Sequence, residues 1–292
     1  MKILKQIYML SATVIVLYAG WLVTRIFLFD QFITPTESMI PTLLPGDRVV
    51  VNKMIVGARI YTDLDFNPEG GVLKAFRTRG WRKVMPNDIV VFNFPHHDGK
   101  INFVINNVYA KRCVAIPGDT LTIREVYFHN NNFKGVIGIK DCQDALAAMP
   151  DSLLPPFVIR SMPFDDSIRW TIKNLGPLYV PRKGDIVTIT PDEACIYRMI
   201  LEWETGKTIS FDRATGSVFA GDERINRHVF THNYYFMCGD NVVNSNDSRY
   251  WGFVPEEYIV GVVSRITYSI DPETGKYSKD RFMKQVKGWN AY

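Results

Sequence analysis

The chain has 292 residues, enough to bury a sizeable core in one or two domains. A 47% hydrophobic share with 22% charged residues excludes a disordered polyelectrolyte, and 34 basic against 30 acidic residues, a net charge of +4, is too even to argue for a nucleic-acid partner. Cys113, Cys142, Cys195 and Cys238 show no CxxC spacing and point to no metal centre; they permit two disulfides and require none.

The first element is apolar. Eighteen residues from Ile7 to Thr24 carry no charge, and Ile26–Phe29 extend the run beyond Arg25. Such a helix rises roughly 30 Å, the thickness of a hydrocarbon core. A cleaved secretory signal has an apolar part of only about 7–15 residues, and no small-x-small site follows before Ser38. Residues 1–30 are therefore expected to form a cytoplasmic tip and a retained anchor. Lys2, Lys5 and the amino terminus load its leading side, whereas Arg25 and Asp30 cancel on the other. The positive-inside bias then keeps the N-terminus cytoplasmic and exports the remainder, a single-pass topology.

Beyond residue 45 the pattern is β. Short β-branched runs recur at 48–56, 88–94, 101–107, 108–116, 120–123, 234–238 and 258–270, separated by turn signals such as the two Pro-Gly-Asp triplets at 45–47 and 117–119. Helix patterns are scarce; 144–148 allows at most a short one. The expected fold is mainly β, an antiparallel-sheet core with an inserted subdomain, preceded by one transmembrane helix. The segments 84–95 and 179–190 echo one another, each with a proline followed by Asp-Ile-Val. The expected division is a β core over 31–125 and 232–275, an inserted subdomain over 126–231, and a tail over 276–292.

Three stretches carry candidate chemistry. The first is TESMIPTLLPGD (36–47), where Ser38 follows the apolar run closely. A serine hydroxyl is a weak nucleophile at neutral pH and needs a base within hydrogen-bond reach. His96, His97, His129, His228 and His232 fall in no recognisable triad segment, and neither a GxSxG elbow nor HExxH is present. The second is VYAKRCVAI (108–116), where alternation places Lys111 on one face with Tyr109 and Cys113, and Arg112 on the other. A lysine facing a sheet interior loses affinity for its proton and becomes a usable base. An edge-strand lysine pointing to water fits the same pattern, and the strand alone leaves both open. The third is CGDNVVNSNDSRYWGFVPEEY (238–258). It lacks the glycine and glutamate spacing of a calcium loop and reads as a rigid hydrogen-bonded loop with Arg249 on a carboxylate and Trp251 packed beneath.

Taken in order, Ser38-Met-Ile-Pro-Thr-Leu, Pro45-Gly-Asp-Arg-Val-Val-Val-Asn-Lys, Lys111-Arg-Cys-Val-Ala-Ile-Pro-Gly-Asp and the block from Gly239 to Pro255 resemble bacterial type I signal peptidase (leader peptidase). The resemblance covers the anchor and some 80–90 residues of core. It implies a membrane-bound serine endopeptidase that removes signal peptides from exported preproteins, cutting after small residues at −1 and −3. It further implies Ser38 as nucleophile, Lys111 as general base, and the Ser38 N–H with the Thr36 hydroxyl as oxyanion donors, Thr36 standing where the family often has serine. Ser245 would orient the lysine amine, Asp247 and Arg249 would form a supporting ion pair, and Gly239 would allow close backbone approach. Pro35, Met39 and Tyr109 would line the substrate cleft, and the Trp81 region would touch the bilayer. No cofactor and no metal is implied; the partners are signal peptides and the lipid bilayer, with no nucleic acid, for a monomer in the bacterial cytoplasmic membrane with its catalytic part on the exported side. Two departures stand out. Val242 and Val243 occupy positions where the family commonly has Arg-Asp, and Glu37 adds a carboxylate beside the nucleophile where a small residue is frequent. The alternative functions are a catalytically silent, membrane-tethered subunit of an export complex and a self-cleaving Ser/Lys protease.

Overall fold

In the computed structural model, which describes residues 2–286 and 288, the N-terminal helix Lys2–Val23 continues through a π-helical turn, Thr24–Leu28. The part of the expected tail at 287 and 289–292 lies outside the described residues. Ile3–Leu28 is long and apolar enough to cross a membrane, and none of its apolar window is buried inside the protein. Thr13 and Thr24 donate their hydroxyls to the carbonyls of Met9 and Gly20, one turn back, as a polar side chain in an apolar setting must. At the helix exit Arg25 pairs with Asp30 at 2.6 Å, and Lys53 reaches the same carboxylate at 3.1 Å.

The chain passes from that turn straight into the main sheet. Seven antiparallel strands lie in the order Phe29–Ile33, Asp47–Asn52, Ile259–Ser269, Ile89–Asn93, Val108–Ala115, Tyr234–Cys238 and Val254–Pro255. Ile89–Asn93 is central and buried at every position. Its side chains nevertheless alternate: Ile89 and Val91 pack with Met39, Leu43 and Val49, whereas Val90 and Phe92 belong to the larger core on the other face. The expected strand at 101–107 is reduced to Lys100–Ile101; beyond it the chain is irregular, and Asn93 donates to the carbonyls of both Val104 and Ile105. His96-His97 pairs with Lys100-Ile101 in a tight hairpin, Asp98 and Gly99 both having positive φ.

Residues 126–231 add Tyr127–Asn130 and Leu175–Tyr179 to the two sides of the strand Thr120–Arg124, and hold a small meander from Ile209 to Ile225 and the helices Lys140–Ala147, Pro156–Ile159 and Pro191–Thr205. The 15-residue helix Pro191–Thr205 corrects the expectation that helices are scarce. Its signals are local: proline in the first turn, Asp192 and Glu193 at the positive end, and Gly206 in the left-handed conformation as its stop. Its buried face of Ala194, Tyr197, Ile200 and Leu201 joins the same core as Val90 and Phe92. A separate cluster of Val126, Leu146, Leu154 and Ile172 closes around Val242.

Candidate active site

The Ser38 segment is a loop between the strand ending at Ile33 and the strand starting at Asp47. Its ends are tied by Thr34 N–H to Asp47 O and Gly46 N–H to Thr34 O, both 2.8 Å. Gly46 has φ +87, and a Cβ there would stand 1.9 Å from the Ile270 carbonyl oxygen, so the Pro-Gly-Asp turn requires its glycine. Asp47 accepts the Leu44 N–H and both arms of the Arg281 guanidinium, which also donates to Thr42 O. Met39 and Leu43 plug the loop into the sheet at 1% and 0% exposure.

Lys111 comes from the strand Val108–Ala115 and is 4% exposed. It sits opposite Val90 in the register, on the face of Tyr109, whose ring centroid is 5.7 Å from its Nζ; Arg112 takes the other face. Lys111 Nζ is in hydrogen-bond contact with Ser38 Oγ, its one hydrogen-bond partner among the described residues. Thr36 Oγ1 lies 3.2 Å from the same Ser38 oxygen. The Ser38 backbone N–H, in a residue only 8% exposed, has no acceptor among the described residues. A buried donor left open is uncommon and is available to a group brought in by a ligand.

The third stretch wraps around this pair. Asp247, fully buried, accepts two bonds from the Arg249 guanidinium at 2.8 and 2.5 Å and the Gly239 N–H at 2.8 Å. Gly239 is pressed against the site: a Cβ there would lie 2.1 Å from Ser245 Oγ and 2.5 Å from Ser38 O. Ser245 is thereby beside the dyad, its hydroxyl buried and without a hydrogen-bond partner among the described residues. The Asn241 N–H donates to Ser38 O at 3.1 Å and so pins the Ser38 loop.

On the opposite face of the lysine strand, Arg112 grips Asp240 at 2.6 and 2.7 Å and donates to Thr42 Oγ1, which itself bonds Asp240 at 2.5 Å. All three elements of the site meet there. This clamp escapes a reading of the motifs singly, although the alternation that turned Arg112 away from Lys111 was its available signal.

The charges decide the state of Lys111. Asp247 pairs with Arg249, and Asp240 with Arg112, each pair about 1% exposed or less. Lys111 has no carboxylate in hydrogen-bond contact, so a charge on it is uncompensated in a dry setting. Burial accordingly lowers its pKa to about 8, Asp247 pulling upward and Arg249 downward as smaller influences. For Asp247 burial raises the pKa, but Arg249 outweighs it and the carboxyl stays below its usual range.

Ser38 and Lys111 open onto a cleft of about 750 Å³. Pro35, Met39 and Tyr109 line it, with Phe32, Val91 and Ile105 among the apolar walls. Glu37 lies at its edge, exposed, its carboxylate accepting from Asn244 Nδ2 at 3.0 Å. Val242, where a charged residue would have stood, is 5% exposed and packed into the cluster from 126–172.

A family model described as signal peptidase, peptidase S26, matches residues 4–145 and 183–268. The signal peptidase I of Buchnera aphidicola (subsp. Baizongia pistaciae) is 26% identical over 265 residues, covering 87% of this chain and 74% of its own. That of Aquifex aeolicus is 27% identical over 256 residues, covering 84% and 78%. A crystal structure of a signal peptidase I from Enterococcus faecalis covers 62% of this chain at 19% identity with a TM-score of 0.28, too loose a superposition for a comparison of folds.

Proposed function

The chain belongs to the signal peptidase family, peptidase S26, and we propose that it is a membrane-anchored endopeptidase that cuts signal peptides from exported preproteins with Ser38 as nucleophile and Lys111 as general base. The observation that carries this reading is the buried contact between Lys111 Nζ and Ser38 Oγ, made by a lysine whose burial favours the neutral amine.

Neutral Lys111 accepts the Ser38 proton as Oγ attacks the scissile carbonyl carbon. The electron pair displaced onto the carbonyl oxygen is met by the open Ser38 N–H and the Thr36 hydroxyl. Collapse breaks the C–N bond, Lys111 returns the proton to the departing amine, and an ester on Ser38 remains. Lys111 next deprotonates water, which attacks the ester and frees Ser38. The unpartnered Ser245 hydroxyl is available to orient the amine between these steps, while the Asp247–Arg249 pair and Gly239 hold the loop against the nucleophile.

The substrate lies extended. Along the strand Val108–Ala115, Tyr234–Cys238 pairs with Arg112–Ala115 alone, so Val108–Lys111 has an unpaired edge along the cleft among the described residues. A peptide can add there as a strand, with alternate side chains entering the apolar walls and small residues favoured at −1 and −3. Ser38 lies ten positions after Leu28, at most about 36 Å of chain, which keeps the nucleophile near the bilayer from which a signal peptide emerges. Exposed Trp81 and Phe76 would rest on the lipid surface of the exported side, the Lys5 end of the helix being cytoplasmic. The protein works as a monomer on this reading, with residues 126–231 as a subdomain inserted in the catalytic core.

The test is to incubate the purified full-length protein, S38A and K111A with a preprotein. Cleavage by the wild type alone, unaffected by a chelator, supports the dyad. Cleavage persisting in both variants, or lost on chelation, overturns it.

A further inference from the structure

Apart from Tyr109, Glu37 and Lys111 are the ionisable residues among those lining the cleft. Lys111 is in its neutral form when it acts as base, so at the moment of attack the cleft carries one uncompensated charge, the Glu37 carboxylate. Among the described residues no cation pairs with it: its hydrogen-bond partner is the Asn244 amide, a neutral group, while Asn241 holds the Glu37 backbone carbonyl at 3.2 Å. The two asparagines fix the residue from both ends, so the carboxylate is presented and not loose. This residue is adjacent to the nucleophile, and consecutive Cα atoms are about 3.8 Å apart, which puts the carboxylate within about 10 Å of Ser38 Oγ. An extended peptide advances about 3.3 Å per residue, so about three substrate residues on either side of the scissile bond come within its reach.

We propose that Glu37 is a specificity-determining residue that selects substrates carrying a lysine or arginine side chain within three residues of the cleavage site, at positions other than −1 and −3. The inference rests on the peptidase reading above. A cation there gains Coulombic attraction to an otherwise unpaired carboxylate, and an acidic substrate residue meets repulsion. Because Glu37 is exposed, the gain is modest and screened by salt.

The experiment uses the full-length protein in detergent micelles and quenched peptides spanning a signal-peptide cleavage site. Lysine, glutamine or glutamate is placed singly at −2, +1, +2 and +3, with small residues kept at −1 and −3. At one or more positions the lysine peptide is expected to exceed the glutamine peptide in kcat/KM by about three- to tenfold at low salt, the gap closing at about 1 M salt. The ratio falls to about one in E37Q, whose amide oxygen can still accept from Asn244, and inverts in E37K. Ratios are read within each variant, so a change in overall turnover cancels. Equal cleavage of lysine and glutamine peptides by the wild type at all four positions overturns the inference, as does a preference surviving in E37Q. If E37Q is inactive, the wild-type salt titration decides, and a salt-insensitive preference counts against Glu37. Failure of the wild type to cleave any of these peptides, or a preprotein, instead removes the peptidase reading on which the inference stands.

Discussion

Lys111 Nζ and Ser38 Oγ, 73 positions apart in sequence, meet in a direct hydrogen bond inside the protein. Neither residue is paired with a charge there, and the contact is closed by the strand bearing one and the loop bearing the other.

The first prediction concerns pH. Burial lowers the Lys111 pKa to about 8 from an ordinary value of 10.5. Only the neutral amine can take the serine proton, so kcat should climb with pH and level off above about 8, dropping about tenfold for each unit well below it. An acid limb near the ordinary lysine value, in a pH–rate profile with a soluble peptide, would contradict the desolvation argument. The same shift acts on stability. The unfolded chain binds the extra proton between about 8 and 10.5, so this residue's contribution rises with pH across that window and is at its least favourable below it. K111M should therefore be inactive yet have a denaturation midpoint at pH 7 no lower than the wild type.

In the proposed mechanism Thr36 supplies a single hydroxyl to the oxyanion. T36V should lower kcat by about 10²–10³ with little change in KM, whereas T36S should retain most activity. Steady-state kinetics on one peptide checks both; a T36V enzyme within twofold of wild type would exclude the hydroxyl from the oxyanion site.

Gly239 tolerates no side chain without movement. In G239A the new methyl meets Ser245 Oγ and Ser38 O at 2.1 and 2.5 Å, so the loop must retreat and kcat/KM should fall by more than about tenfold. Adding S245A relieves only the first clash, and the double variant should stay impaired because the Ser38 carbonyl remains.

Arg249 neutralises a carboxylate with no access to water. R249M leaves Asp247 buried and unpaired, at a cost of about 3–5 kcal/mol in a urea-unfolding measurement. The wild-type Asp247 pKa lies below 3.8 despite burial, which raises it, because Arg249 lowers it further. Its stabilisation is thus present above that range and lost as pH falls through the folded value. Acid unfolding of R249M should begin at higher pH than that of the wild type, and coincident acid transitions would argue against the pairing.

Much of this was legible in the chain. The anchor follows from an uninterrupted apolar run, which only a helix can carry across lipid because it bonds its own backbone. The main strands follow from period-two patterns, and the Pro-Gly-Asp turns from φ requirements. The helix Pro191–Thr205 is also legible in its cap residues, but polar residues break up its apolar positions, so periodicity alone does not single it out. The truncated strand near 101–107 illustrates the opposite failure: local β propensity yielded to the tertiary bonds of Asn93.

What the sequence by itself determined is therefore the set of parts: one apolar helix, an antiparallel β protein, and a serine, a lysine and a polar loop in a family-like order. Only the tertiary structure decided that Lys111 faces the interior and not water, that Arg112 and Asp240 lock the Ser38 loop from behind, and that Val242 packs against the segment 126–172. The reason is physical. Alternation assigns a residue to a face, but whether that face is dry depends on which distant segments cover it, and desolvation, not residue type, sets whether a lysine is a cation or a base.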